Sequence, residues 1–177
     1  MKKLLILSMI FLWLAGCSKM TEEQLNEPER QYPDQESWSS QITLTKDGQK
    51  RALVDAGHLT KYNNMAYVSM DENVEIDFFN NEERHLSHLK AKTAIVYEST
   101  NDLIAKGNVV VVSDSGVTLY TQELKWNHER ERILSDGFIT FVTEQDTLNG
   151  VGFESDSDLK NWIIRKPTGV TEREFND

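Results

Sequence analysis

The chain has 177 residues, a formal net charge of −10 at pH 7 and one cysteine, Cys17. A strongly acidic surface argues against binding of nucleic acid or another polyanion through charge, and a lone cysteine has no partner for an intramolecular disulfide. The length favours one folded domain.

The N-terminal residues have the pattern of an export signal. Two lysines precede an apolar run over 4–14, and Leu14-Ala15-Gly16-Cys17 then matches a bacterial lipobox. The run is too short to cross a bilayer, which takes about 20 residues. We therefore expect a lipoprotein signal peptide over 1–16 and a diacylglycerol group on Cys17 that anchors the protein to a membrane. The alternative is an ordinary signal peptide followed by a free thiol.

The remaining chain divides by composition. Residues 17–37 are polar and predict a lipid-anchored tether. Between Pro33 and Pro167 there is no proline, and central strands exclude proline because it cannot donate to the hydrogen-bond ladder. This block predicts one β-sheet system, with a folded domain over 38–166 and a charged tail over 167–177.

Short β-branched and aromatic runs, broken by Asn, Asp, Ser and Gly, predict antiparallel strands throughout the block. Apolar and acidic residues alternate from Asn73 to Phe79, which is typical of an antiparallel sheet with one buried face. Further strands are predicted over 37–45, 50–62, 66–70, 86–98, 103–105 with 108–112, 117–126, 138–143 and 159–165. The last of these has apolar residues on both faces, so it is a candidate edge for strand addition by a partner, or else a cap on this protein's own sheet.

One unit repeats within the block. A small residue recurs at Ala56, Ala91, Thr121 and Gly150, with an aliphatic residue two positions before it and an apolar residue three positions after it. This spacing breaks the period-two alternation of a strand, and such a break beside a small residue predicts a bulge. We expect bent antiparallel hairpins that stack into a curled sheet with one continuous apolar interior. An ordinary β-sandwich with coincidental spacing is the alternative.

No arrangement of residues points to catalysis or to metal binding. His85 and His88 lie beside Glu82 and Glu83 on a polar turn, where charged groups are normally solvated. The G-x-S-x-G pattern of a nucleophile elbow and the third glycine of a dinucleotide-binding loop are both missing. The sequence therefore predicts no enzyme, no cofactor and no metal site.

Four motifs in order resemble the LptC family, the periplasmic component of the lipopolysaccharide export bridge. They are Ala105-Lys106-Gly107-Asn108-Val109, Gly116-x-x-Leu119-x-Thr121-x-x-Leu124-x-Trp126-Asn127, Ile133-x-Ser135-Asp136 and Leu148-x-Gly150-x-Gly152-Phe153. The resemblance covers roughly residues 53–164 and implies an open, V-shaped β-jelly roll. It also implies that lipopolysaccharide passes from the inner-membrane ABC transporter to the next jelly-roll protein of the bridge.

The chain departs from the better-known members of this family at its start. Those members keep an N-terminal transmembrane helix, and here a lipobox stands in its place. We expect a periplasmic protein with a lipid anchor in the inner membrane. Sorting to the outer membrane is the alternative, since lipoproteins are sorted to either membrane.

The resemblance also implies a functional interior and two functional edges. The residues expected to contact the acyl chains are Val74, Ile76, Val109, Val111, Leu119, Leu124, Ile139, Phe141 and Phe153. The N-terminal edge with Trp38, Ile42 and Leu44 would meet the transporter, and the C-terminal edge with Leu159, Trp162 and Ile164 would meet the next jelly roll. Two alternatives are another module of the same bridge and a structural envelope lipoprotein, in which the same residues fill a closed core without lipid cargo.

Overall fold

The computed structural model describes residues 32–168, which form nine β-strands. Cys17, most of the tether and residues 169–177 lie outside the described residues. The strands are β1 (Gln35–Lys46), β2 (Gln49–Lys61), β3 (Tyr67–Phe79), β4 (His85–Tyr97), β5 (Leu103–Ser113), β6 (Thr118–Asn127), β7 (Arg132–Val142), β8 (Thr147–Asp156) and β9 (Ile163–Thr168). No helix capable of spanning a membrane occurs between residues 32 and 168.

All nine strands belong to one antiparallel sheet, and their order in the sheet is their order in the chain. Each strand pairs with the strands before and after it, so β1 and β9 have one neighbour each among residues 32–168. The all-β prediction is confirmed. The sheet is open, because its first and last strands do not pair with each other.

Most of the strands bend near their middle, where the sequence repeat predicted a bulge. The pairing register shifts between Asp55 and His58, which flank Ala56, and between Lys90 and Thr93, which flank Ala91. It shifts again just after Thr121 in the pairing of β6 with β7. The strands that follow in each hairpin, β3 and β5, bend at the matching positions. There Glu72 and Gly107 have positive φ angles, 57° and 82°. The predicted bent hairpins are therefore confirmed.

The bends fold the sheet into two facing layers. The first layer contains the strand halves 49–55, 74–79, 85–90, 109–113, 118–121, 138–142 and 147–151, and the second contains 58–61, 67–71, 93–97, 103–106, 123–127, 132–135 and 153–156. Aromatic residues from the two layers meet in the interior, where the ring centroids of Phe141 and Phe153 are 5.4 Å apart. Each hairpin thus contributes apolar residues to both walls of one interior.

Small residues and hydrogen-bonded polar groups make the bends possible. A Cβ atom on Gly57 would lie 2.5 Å from the carbonyl oxygen of Glu72, so any larger residue would push β2 and β3 apart at the bend. Thr121 is buried, and its hydroxyl contacts the Ser135 hydroxyl at 2.9 Å and donates to the Phe138 carbonyl at 3.1 Å. The polar atoms at this bend therefore have partners, as buried polar atoms require.

The last strand differs from its prediction. The sequence predicts a strand over 159–165 ended by Pro167, whereas β9 runs from Ile163 to Thr168 and includes Pro167. Leu159 and Trp162 lie in the preceding loop, because the Asp156 carboxylate accepts hydrogen bonds from the backbone amides of Lys160 and Asn161 and turns the chain there. Proline is tolerated in β9 because this strand lies at the edge of the sheet.

Candidate functional site

The interior between the two layers is continuous and apolar. All nine residues expected to contact acyl chains point into it, and each is at most 1% exposed. Those from the first layer are Val74, Ile76, Val109, Val111, Leu119, Ile139 and Phe141, and those from the second are Leu124 and Phe153. The structure thus brings the whole predicted set together, in a closed and packed arrangement.

The predicted edge residues are distributed differently. On β1, Trp38 is largely exposed, Ile42 is half-buried and Leu44 belongs to the core. On β9, Ile164 is half-buried and pairs with Phe153. These side chains therefore divide between the free edges and the interior.

The loop between β8 and β9 holds the other two predicted edge residues. Leu159 is 1% exposed, so it belongs to the core and offers no surface to a partner. Trp162 is partly exposed, and its ring lies 4.8 Å from that of Phe141, between centroids. Both side chains cover the interior at the end of β8.

An ion pair joins the outer tips of the two layers. Arg51, at the start of β2 in the first layer, is buried, and its Nε donates to the Glu131 carboxylate at 2.9 Å. Glu131 lies in the turn between β6 and β7, at the tip of the second layer. Lys46 of β1 donates from its Nζ to the carbonyl oxygen of Glu129 in the same turn at 2.6 Å.

Hydroxyl groups make a second set of contacts between the tips. Ser87 of β4 donates to the Ser157 carbonyl oxygen at 2.5 Å, and Ser113 of β5 donates to the Asp158 carbonyl oxygen at 2.7 Å. Neither β4 nor β5 is a sheet neighbour of β8, so these bonds cross the gap between the layers. We call the contacts of Lys46, Arg51, Ser87 and Ser113 with residues 129–131 and 157–158 the clasp.

Sequence reasoning missed every member of the clasp. Arg51 and Glu131 are 80 positions apart, and Ser87 and Ser157 are 70 apart. Nothing in the local sequence of these residues distinguishes them from other polar residues near turns.

A cavity of about 420 Å³ lies beside the clasp. Trp126 lines it and is buried, and the indole Nε1 has no acceptor among the described residues. The charged residues of the lining are Arg51, Glu82, Glu131, Asp156, Asp158 and Lys160. Carboxylates outnumber cations in this set, so the cavity disfavours an anionic group and suits water or an uncharged hydroxyl.

The outer surface carries histidines paired with carboxylates. His58 of β2 contacts Glu36 of β1 and Asp71 of β3, each at 2.9 Å. The hydrogen bond with Glu36, followed by that with Asp71, raises the pKa of His58 above its usual range. The imidazole thus ties β2 to the edge strand β1 on one side and to β3 on the other, and it does so most strongly when protonated.

A second pair of histidines shares one carboxylate. Asp77 contacts His88 at 2.7 Å and His85 at 3.1 Å. Burial opposes ionisation of Asp77, but the hydrogen bonds with His88 and His85 outweigh it and lower the pKa of the carboxyl. Among the described residues, no group of three or more His, Cys, Asp and Glu side chains could hold a metal ion.

Comparison with known proteins adds a family to this geometry. A comparison with curated proteins found no match. The family model described as "Lipopolysaccharide-assembly, LptC-related" matches residues 4–164, which is most of the chain and includes all of the interior. The chain therefore belongs to the LptC-related family of lipopolysaccharide-assembly proteins, whose members serve in lipopolysaccharide transport.

Proposed function

We propose that this protein is the periplasmic lipopolysaccharide-binding component of an export bridge. In this proposal the acyl chains of lipopolysaccharide occupy the apolar interior between the two layers. The protein receives lipopolysaccharide from the inner-membrane ABC transporter and passes it to the next jelly-roll protein. The single observation that carries the proposal is the continuous apolar lining, to which eight successive strands, β1 to β8, contribute.

The two edges of the sheet support the proposed hand-over. β1 has 12 residues and lacks a second neighbour among residues 32–168, so its free backbone groups can accept a strand from the transporter. β9 has 6 residues and contains Pro167, which removes one donor, so its edge offers fewer hydrogen bonds to the next jelly roll. A joint at each edge would continue the interior into the neighbouring protein.

The proposed anchor is a lipid on Cys17. The lipobox Leu14-Ala15-Gly16-Cys17 supports it, and two or three acyl chains would suffice for stable attachment to the membrane. Replacement of Cys17 by serine is expected to move the protein from the membrane fraction to the soluble periplasmic fraction. Mass spectrometry of the wild-type N-terminal peptide should find the acyl chains, and an unmodified Cys17 thiol would refute the anchor.

Photo-crosslinking tests the proposed cargo. A benzophenone amino acid in place of Ile76 or Phe141 should label lipopolysaccharide in cells that export it, because both positions face the interior. The matched controls are Glu75 and Thr140, which are the preceding residues on the same strands and alternate to the outer face. Labelling from the outer pair that equals labelling from the inner pair would refute the proposal.

One observation favours a second candidate, a structural envelope lipoprotein with a closed β core. The nine interior residues are already packed against one another, with at most 1% exposure. Affinity purification separates the two candidates, because a bridge component should bring the transporter with it and a structural lipoprotein should not. Far-UV circular dichroism of each photo-crosslinking variant distinguishes a lack of cargo from a loss of fold.

A further inference from the structure

We propose that the clasp is the gate through which acyl chains enter and leave the interior, and this inference rests on the proposed function. The interior residues are at most 1% exposed, so an acyl chain reaches them only after part of the wall has moved. The clasp is the part of the wall that can move while every strand keeps its sheet neighbours.

The two long sides of the interior differ in how they are closed. At the bends, each strand passes covalently from one layer to the other, and paired strands hold it on both sides. At the tips, the layers are joined by side chains: Arg51 to Glu131, Lys46 to the carbonyl of Glu129, and the hydroxyls of Ser87 and Ser113 to two carbonyls of the β8–β9 loop. Separation of the tips therefore breaks no hydrogen bond of the sheet.

The groups released at the tips are suited to exposure. Arg51, Glu131, Lys46 and two serines all form good hydrogen bonds with water, so their net loss on opening is modest. The apolar walls would be costly to expose to water, but an acyl chain that enters covers them again. Gate opening coupled to lipid entry thus keeps most of the apolar surface buried.

The β8–β9 loop supplies the apolar part of the gate. The Leu159 side chain is inserted into the core although its backbone has a φ of 59°, a conformation that costs a leucine energy. Trp162 covers Phe141 from the same loop. An acyl chain can replace both side chains with equivalent apolar contacts, so we assign Leu159 the role of a placeholder for lipid.

A reversible cross-link tests the gate. The double variant Lys46→Cys/Glu129→Cys places one thiol on each tip, and a short bis-maleimide with an internal disulfide joins them. The full-length protein also carries a benzophenone amino acid at Phe141 and is incubated with purified lipopolysaccharide. Cross-linking should abolish lipopolysaccharide labelling, and reduction of the linker should restore it. The single variant Lys46→Cys, treated in the same way, controls for reaction at Cys17.

A weakened clasp should have the opposite effect. Glu131→Gln removes the charge that pairs with Arg51 and Lys46, and we expect labelling from Phe141 to become about fivefold faster. Glu123→Gln is the matched control, because Glu123 pairs with Lys106 at 3.0 Å, away from the clasp. Ser113→Ala weakens the clasp in a second way, because it removes one hydrogen bond without any change of charge.

The outcomes distinguish the gate from the function on which it rests. Equal labelling of the cross-linked and reduced proteins would overturn the gate and leave lipid binding in place. No labelling in either state, with a folded protein, would overturn the proposed function together with the gate. Labelling that depends on reduction and accelerates in Glu131→Gln, but not in Glu123→Gln, supports both.

Discussion

Phe78 of the first layer and Trp126 of the second meet across the interior, with ring centroids 5.3 Å apart and ring planes inclined by 58°. Trp126 is among the largest fully buried side chains, and its indole N–H has no acceptor among the described residues. The contact therefore combines a large gain from packing with an unsatisfied donor.

Substitution of Trp126 should separate these two contributions. Trp126→Phe keeps an aromatic ring against Phe78 and removes the unsatisfied donor, so we expect a loss of stability of about 1 kcal/mol or less. Trp126→Ala removes the packing and should cost about 3–5 kcal/mol. Urea denaturation measures both. A cost of Trp126→Phe well above about 1 kcal/mol would mean that the N–H has an acceptor in solution.

Substitution of Gly150 should detach the last strand. A Cβ atom there would lie 2.8 Å from the Lys166 carbonyl oxygen and would overlap the Ile164 side chain, both on β9. We expect Gly150→Val to destabilise the protein by about 1–3 kcal/mol and to increase hydrogen exchange in β9. Gly137→Ala is the control, because no atom lies within 4 Å of its Cβ position. Protection of β9 that stays unchanged in Gly150→Val would contradict this account.

His58 should make the N-terminal edge sensitive to pH. The hydrogen bonds with Glu36 and then Asp71 raise its pKa in the folded protein above the ordinary 6.5. The stabilisation is therefore complete below pH 6.5 and is lost as the pH rises through the folded-state pKa. His58→Asn should remove this part of the pH dependence, as measured by urea denaturation at several pH values. NMR titration of His58 that gives a pKa at or below 6.5 would contradict the prediction.

The two free edges should contact different partners. A benzophenone amino acid in place of Trp38, which is 63% exposed on β1, should capture the transporter. The same group in place of Ile163, which is 60% exposed on β9, should capture the next jelly-roll protein. Tyr120, 46% exposed on the outer face of β6, is the control and should capture neither. The reverse assignment of partners would contradict the proposed direction of transfer.

The bends could be predicted from the sequence because their cause is local. A small residue such as Ala56 or Ala91 and the change in alternation around it lie within a few positions of each other. The register shifts occur at those same positions, and the inward residues follow from the alternation on either side. The nine interior residues could therefore be named in advance.

The closure of the interior could not be predicted, because it depends on contacts between residues that are far apart in the sequence. The conformation of residues 157–162 depends on hydroxyl donors from β4 and β5, 70 and 45 residues earlier. Trp162 and Ile164 lie on one face and Ile163 on the other if this segment is a strand, and only the contacts with the other layer distinguish a strand from the observed loop. The same reason applies to Arg51, whose partner lies 80 positions away.

The identity of chain order and sheet order also bears on biosynthesis. As the chain is exported and folds, each new strand finds its partner already present in the preceding segment, so none has to wait for a distant part of the polypeptide. Growth can therefore proceed like a zipper from the first hairpin. By the same logic, duplication of one hairpin would lengthen the apolar interior and leave the earlier strands as they were.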